Sequence, residues 1–254
     1  MTVMLWVKMP SDWIRNDVLK ESFSSPNKVS EDIAALKLYL VICLLAKEVK
    51  RPVNHPDYLG LGKPMIRAVL ECSATYDVFS NMCSLSRSLV CRGLSRLRNT
   101  RLIDVEGGRR SKRYIVLGSP ERFWCKLPKR ALVHNEETIP MFLQFLNRYQ
   151  YERSALKIYM YILASRTNSK QHVDLSRRTI SKKTGVPILQ IDGALGFLQS
   201  VGLMVKVEKK SFLLSSDEAV DENRIHRYWV TGHEGLYYRT VKYDADDYDN
   251  MDDD

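Results

Sequence analysis

Hydroxyl, amide and guanidinium side chains recur at helical spacing between Ser84 and Asn99 of this 254-residue chain. At about 100° per residue, the polar side chains fall on one side of a helix, opposite Val90, Gly93 and the leucines. The segment contains no Asp or Glu, whereas an ordinary surface helix mixes acids with bases. These side chains can hydrogen-bond to nucleic acid, since Arg can pair with guanine and Asn with adenine. The absence of acids suits the same partner, because phosphates repel carboxylates. The polar side and its flanks hold Ser86, Arg87, Ser88, Cys91, Arg92, Ser95, Arg96 and Asn99.

A short basic loop follows this helix. Leu102, Ile103 and Val105 predict a strand, and the segment from Tyr114 to Leu117 predicts a returning strand. Helix, strand, basic tip and strand are the order of elements in a winged helix. We expect the helix to read the bases of double-stranded DNA in the major groove. The tip should lie along the DNA phosphates or enter the minor groove. If its four basic residues each neutralise one phosphate, they contribute about −3.6 to the slope of log affinity against log salt concentration. The four are Arg109, Arg110, Lys112 and Arg113.

Charge is distributed unevenly along the chain. The formal net charge of +9 would be +16 without the seven aspartates of residues 244–254. A body this basic favours a polyanionic partner, most often nucleic acid. The acidic tail has two interpretations: a disordered solubilising segment, or a DNA mimic that folds over the basic face.

Four sequence segments recur in the same order and indicate an internal duplication. The predicted fold is α+β and mostly helical, with two winged-helix (helix-turn-helix) domains in tandem. We place the first domain at residues 1–120, the second at 121–243 and the acidic tail at 244–254. The matched pairs are Trp6–Pro10 with Trp124–Pro128, Ala35–Leu40 with Ala155–Met160, Leu94–Ile103 with Leu195–Met204, and Arg113–Val116 with Arg227–Val230.

Three further elements are predicted from pattern. Ser30 should cap a helix with a buried stripe of Leu36, Leu40, Cys43 and Leu44. Residues 51–64 should form a loop. Residues 136–151 should form a helix that packs Phe142, Phe145 and Leu146 inward.

The two copies differ in charge. The second recognition helix, from Ile188 to Val201, contains no base. The helix before it is basic, and we expect it to hold phosphates or to contact another protein, although a solvated helix face explains the same residues. The bases are Arg177, Arg178, Lys182 and Lys183.

With these patterns in place, the chain resembles the tandem winged-helix proteins, and most of all the replication initiators of bacterial plasmids. The resemblance rests on the helix-turn-helix patterns from Tyr76 to Ile103 and from Arg177 to Met204. It implies that both domains bind an origin repeat. It assigns base contacts to Ser88, Arg92 and Ser95, and phosphate contacts to the four bases of the tip. The base-free second helix departs from that pattern.

No pattern of catalysis is found. The five histidines are far apart, the five cysteines form no C-x-x-C pair, and Gly60-Leu61-Gly62-Lys63 lacks the Walker spacing. We expect no enzyme activity, no metal site and no cofactor. The apolar run from Ala34 to Ala46 is too short to span a bilayer, so we expect a cytoplasmic protein associated with nucleoid or plasmid and not with a membrane.

The expected function is sequence-specific binding of double-stranded DNA, as the replication initiator of a plasmid or mobile element. An initiator should recruit a helicase or its loader. A winged-helix transcription regulator should instead bind a palindrome as a homodimer. A third alternative is a non-DNA adaptor subunit of a chromosome-organising complex.

Overall fold

The computed structural model describes residues 4–53, 65–108, 111–118, 120–167, 170–209 and 223–237. The fold is α+β, as predicted, with small antiparallel sheets beside packed helices. Within these ranges, no helix combines the length and the apolar character needed to cross a bilayer.

The first half of the chain begins with a strand and two short helices and ends with a hairpin. Its elements are β1 (Val7–Pro10), α1 (Asp12–Arg15), α2 (Val18–Ser22), a 3-10 turn (Pro26–Lys28), α3 (Val29–Leu45), β2 (Lys47–Val53), β3 (Met65–Cys72), α4 (Tyr76–Cys83), α5 (Arg87–Asn99), β4 (Ile103–Glu106) and β5 (Arg113–Val116).

The second half follows nearly the same order. Its elements are β6 (Trp124–Leu127), α6 (Lys129–Leu132), α7 (Pro140–Leu143), α8 (Gln150–Ser165), β7 (Val173–Ser176), α9 (Arg177–Thr184), α10 (Ile188–Ser200), β8 (Met204–Lys209), β9 (Ile225–Val230) and α11 (His233–Tyr237). The strand order β2-β3-β5-β4 of the first sheet matches β7-β9-β8 of the second, apart from the additional edge strand β2.

The two similar segments that begin with Trp6 and Trp124 pair with each other. Strands β1 and β6 form an antiparallel ribbon in which Val7 faces Leu127 and Pro10 faces Trp124. Trp6 and Trp124 come from opposite ends of the ribbon, and their rings stack with centroids 5.7 Å apart. The halves are therefore joined by hydrogen bonds as well as by packing, and their buried residues form one continuous core.

Helices α3 and α8 form the centre of this core. The predicted stripe of α3 is buried, and so is every other residue from Asp32 to Leu44, because neighbouring elements cover the helix on all sides. Each central helix carries a buried lysine that reaches into the other half. The Lys37 ammonium donates to the Phe142 carbonyl at 3.1 Å, and the Lys157 ammonium donates to the Phe23 carbonyl at 3.0 Å.

The predicted loop over residues 51–64 begins inside a strand. Strand β2 extends to Val53 and pairs with β3, with Val49 opposite Val69. Pro52 is compatible with this position because β2 is the edge strand of its sheet. Residues 54–64 of that expectation lie outside the described residues.

The predicted helix over residues 136–151 is wrong. Only α7 and the first two residues of α8 are helical there, and Glu136 and Asn147 adopt left-handed backbone conformations with φ of 60°. The Glu152 carboxylate accepts hydrogen bonds from the amides of Arg148 and Tyr149, which fixes the start of α8. Phe142 and Phe145 are buried as predicted, whereas Leu146 is 60 % exposed.

Candidate nucleic-acid interface

Helix α5 lies close against the central helix α3. The Ser86 hydroxyl caps it by accepting from the amide of Leu89 at 3.3 Å. Gly93 allows the close approach, since a Cβ there would lie 2.6 Å from the Leu38 side chain and 3.0 Å from Ala34. The opposite side of the helix is exposed, and it presents the polar residues Ser88, Cys91, Arg92, Ser95, Arg98 and Asn99.

The two arginines at the flanks of this helix have acidic partners. Arg87 is exposed and forms a bidentate pair with the Asp77 carboxylate, with N–O distances of 2.5 to 2.9 Å. Arg96 points inward, where its Nε donates to the buried Asp32 carboxylate at 3.0 Å. It also donates to the Ser22 carbonyl. Arg96 therefore lies away from the exposed side of the helix.

Strands β4 and β5 form a hairpin beside α5. Arg109 and Arg110, which the sequence placed at its tip, lie outside the described residues. The Lys112 ammonium lies 5.1 Å from the centroid of the Tyr76 ring. Arg113 lies between two carboxylates, 3.6 Å from Glu71 and 3.4 Å from Glu106. Arg51 pairs with the same two carboxylates, so two positive and two negative charges offset one another within the sheet.

A cleft of about 910 Å³ separates the hairpin from the N-terminus of α4. Thr75 caps α4 by accepting from the amide of Val78 at 3.3 Å. The amide groups at this helix end favour an anion. Arg87 and Lys112 line the same cleft, and so does Asp77, whose carboxylate pairs with Arg87 and leaves Lys112 as the cation available to a ligand. Tyr114 also lines it, and its buried hydroxyl has no hydrogen-bond partner among the described residues. Burial raises the pKa of Tyr114 to about 12, so this hydroxyl stays protonated and can donate.

The sequence pattern does not predict Thr75, Asp77 or Tyr114 as part of this surface. The Thr-Tyr-Asp start of α4 is a recognisable N-terminal signal, because Thr is a preferred cap and an acid suits the first turn. No sequence pattern brings Tyr114 next to it, since the two lie on different elements.

In the second half, the four bases of α9 fall into two pairs. Arg178 and Lys182 are exposed. Arg177 binds the Asp192 carboxylate of α10 at 2.7 Å. Lys183 donates to the Arg15 carbonyl at 3.1 Å and to Asp17 at 3.3 Å, which ties α9 to the first half. Only Arg178 and Lys182 are therefore placed to meet a ligand from solvent.

The described residues contain no group of three His, Cys, Asp or Glu side chains that could hold a metal ion. Among the five cysteines, Cys91 on α5 is exposed and the others are buried. Burial raises the pKa of the Cys72 thiol to about 12.

Comparisons of this chain with protein-family models, curated proteins and solved structures find no match. By its fold, this chain is an α+β protein with two halves whose helices and strands follow a similar order. One half presents an acid-free helix side next to a hairpin and an anion-favouring cleft.

Proposed function

We propose that this protein binds double-stranded DNA sequence-specifically through α5 and the β4–β5 hairpin. The observation that carries the proposal is the exposed side of α5, where Ser88, Arg92, Ser95 and Asn99 face solvent without an acid among them. These donors match base edges in the major groove, and Arg92 can fork onto a guanine. Arg87 contributes less, because Asp77 already occupies its guanidinium.

The cleft beside the hairpin supports a place for the DNA backbone. A phosphate there would accept from the amides of α4 and from Lys112. Such contacts fix the register of a protein on the duplex without reading sequence. Arg109 and Arg110 extend the basic tip in sequence beside Lys112.

The finer fold assignment is part of this proposal: two tandem winged-helix domains that arose by duplication. It is supported by the recurrence of a central helix, two shorter helices and a hairpin in both halves, in the order that the four sequence matches predict. The pairing of β1 with β6 and the exchange of lysine contacts between α3 and α8 are also what two related copies packed about a twofold axis would produce.

The biological role that fits best is replication initiation on a plasmid or mobile element, with a helicase or its loader as a further partner. Transcription regulation is the second candidate. A winged-helix adaptor that leaves DNA alone is the third, and the basic α5 speaks against it.

Capture of host and plasmid DNA fragments on the purified protein, followed by sequencing, tests the proposal. Near-physiological salt suppresses binding that rests on phosphates alone. Enrichment of tandem repeats from an origin supports initiation, and a single palindrome upstream of a gene supports regulation. In the Arg92→Ala variant, the enriched motif should lose its preference at one base pair. Retention without any enriched sequence would contradict specific binding.

A further inference from the structure

The turn that ends α5 has the same hydrogen bonds as the turn that ends α10, but an arginine stands where the second turn has a glycine. The Leu102 amide donates to the Leu97 carbonyl at 3.0 Å, and Leu203 makes the equivalent bond in the second half at 2.9 Å. Arg101 and Gly202 occupy the same position just before these leucines. Both have a positive φ, of 54° and 82°. The two turns therefore share a backbone pattern and differ in the side chain that they present.

Glycine is the residue that this backbone conformation favours. In the left-handed region a side chain brings its Cβ close to the following carbonyl, and many helices therefore end on glycine there. Gly202 meets this preference, whereas Arg101 makes the same turn at a cost in stability. Arg101 is exposed, and its guanidinium makes no hydrogen bond or ion pair with any other described residue. Its side chain is therefore available to a ligand from solvent.

A pocket of about 350 Å³ opens at this turn, and its lining carries more positive than negative charge. Arg98 is exposed like Arg101, and it too has no ion pair within the described part of the chain. Asp104 is the acid of the pocket, and its carboxylate accepts from the amide of Val105 at 2.7 Å. Two arginines against one carboxylate leave a net positive charge. The lining residues are Arg98, Asn99, Arg101, Ile103, Asp104 and Leu117.

The C-terminal end of a helix ordinarily disfavours an anion, because its unsatisfied carbonyls carry partial negative charge. At the end of α5 several of these carbonyls already have donors. The Arg96 carbonyl accepts from the Thr100 amide at 3.0 Å, and the Leu97 carbonyl accepts from the Thr100 hydroxyl at 3.1 Å. The Arg98 carbonyl accepts from the Arg101 amide at 2.9 Å. The helix end therefore opposes an anion in this pocket less than a bare end would.

We infer that this pocket holds a phosphate of the DNA backbone and that Arg101 binds it. The inference rests on the proposed binding of DNA through α5. Asn99, the last residue of the α5 face, lines the same pocket, so a duplex whose bases meet that face brings its backbone past the end of the helix. A guanidinium group can bind phosphate through two parallel N–H···O bonds. This contact positions the duplex along α5 without reading its sequence. The turn after α10 cannot make it, because Gly202 has no side chain.

The variant Arg101→Gly separates a phosphate contact from a structural role, because the two roles predict opposite changes in stability. Glycine relieves the left-handed backbone, so the melting temperature of the full chain should stay at the wild-type value or rise by up to about 4 °C. Binding to duplex DNA should weaken for the captured site and for random sequence alike. The slope of log affinity against log salt concentration should decrease by about 0.9, the contribution of one phosphate contact. Between 50 and 200 mM salt, the ratio of wild-type to variant affinity should therefore fall about 3.5-fold.

Arg101→Lys is the matched control, since it keeps both the charge and a side chain at the left-handed position, and it should keep the melting temperature and the salt slope of the wild type. If the wild type binds duplex DNA and Arg101→Gly binds it with the same affinity and slope, the inference is overturned and the proposed function stands. A lower melting temperature in Arg101→Gly, or a loss of preference at one base pair alone, would also overturn it. A wild-type chain that binds no duplex DNA would overturn both the inference and the proposed function.

Discussion

Arg153, in the second half of the chain, donates a 2.8 Å hydrogen bond to the buried carboxylate of Asp32 in the first half. Arg96 of α5 donates to the other oxygen of the same carboxylate. Burial raises the pKa of Asp32, although both arginines act in the opposite direction. One carboxylate thus connects α3, α5 and α8, and the orientation of α5 depends on a residue of the other half.

Removing Arg153 should therefore destabilise the whole molecule. Arg153→Met leaves the Asp32 charge buried with one partner fewer, and breaking a buried ion pair in this way costs about 3–5 kcal/mol. Urea denaturation followed by circular dichroism measures the change in the free energy of unfolding. Arg178→Met, at an exposed position, is the control and should change it by less than about 0.5 kcal/mol. A small loss in Arg153→Met would show that the pair does not stabilise the contact between halves.

Arg92 and Arg96 lie one turn apart on α5 and should behave differently when replaced by alanine. Arg92→Ala should cost about 1–3 kcal/mol of binding and act at one base pair of the site. Arg96→Ala should leave base preference unchanged and lower thermal stability instead, because it deprives Asp32 of a partner. Binding to a set of single-base variants of the captured site, together with melting curves, separates the two effects. Loss of preference at one position in a fully stable Arg96→Ala protein would contradict the inward placement.

The basic hairpin tip should account for part of the salt dependence of DNA binding. Replacing Arg109, Arg110 and Lys112 with alanine should reduce the slope of log affinity against log salt by about 2.7, at about 0.9 per phosphate contact. Arg113→Ala should change it little, because Glu71 and Glu106 already offset that charge. Titrations at several salt concentrations give the slopes. A reduction of about 0.9 on Arg113→Ala alone would show that this residue contacts DNA.

The buried lysines should make stability depend on pH. Burial lowers the pKa of Lys37 from 10.5 to about 7 and that of Lys157 from 10.5 to about 8. At a pH between the pKa of such a lysine in the folded chain and its pKa in the unfolded chain, the unfolded chain binds a proton that the folded chain has released. The free energy of unfolding therefore increases with pH above about 7, by at most about 1.4 kcal/mol per pH unit for each lysine, and this contribution is lost as pH falls.

Urea denaturation between pH 7 and 8 measures this slope before most of the buried thiols titrate in the unfolded chain, where the ordinary thiol pKa is about 8.5. Those thiols have raised pKa values in the folded state, so they act in the opposite direction at higher pH. Lys37→Met should flatten the slope. Lys50→Met, at an exposed position of β2, should keep it. Equal slopes in wild type and Lys37→Met would refute the role of Lys37.

Much of the local structure follows from sequence pattern. The helix pairs α4–α5 and α9–α10, the strands that follow them and the buried stripe of α3 agree with the sequence patterns, because each depends on periodicity and capping within a short segment. The prediction of a helix over residues 136–151 was wrong because it, too, was based on a local pattern. Its apolar spacing fits a helix, but the left-handed residues and the binding of four successive amides by Glu152 break it.

The sequence by itself determined the composition of the α5 face, the basic tip and the absence of bases from α10. The tertiary structure decided which of those charges are available. Arg96 is held inside by Asp32, which is 64 residues away, and Asp32 is in turn held by Arg153, which is 121 residues away. Arg113 meets the acids of two different strands. Helical periodicity shows which side of a helix is polar, but a charge pairs with whatever lies near it in space, and that depends on how distant segments pack.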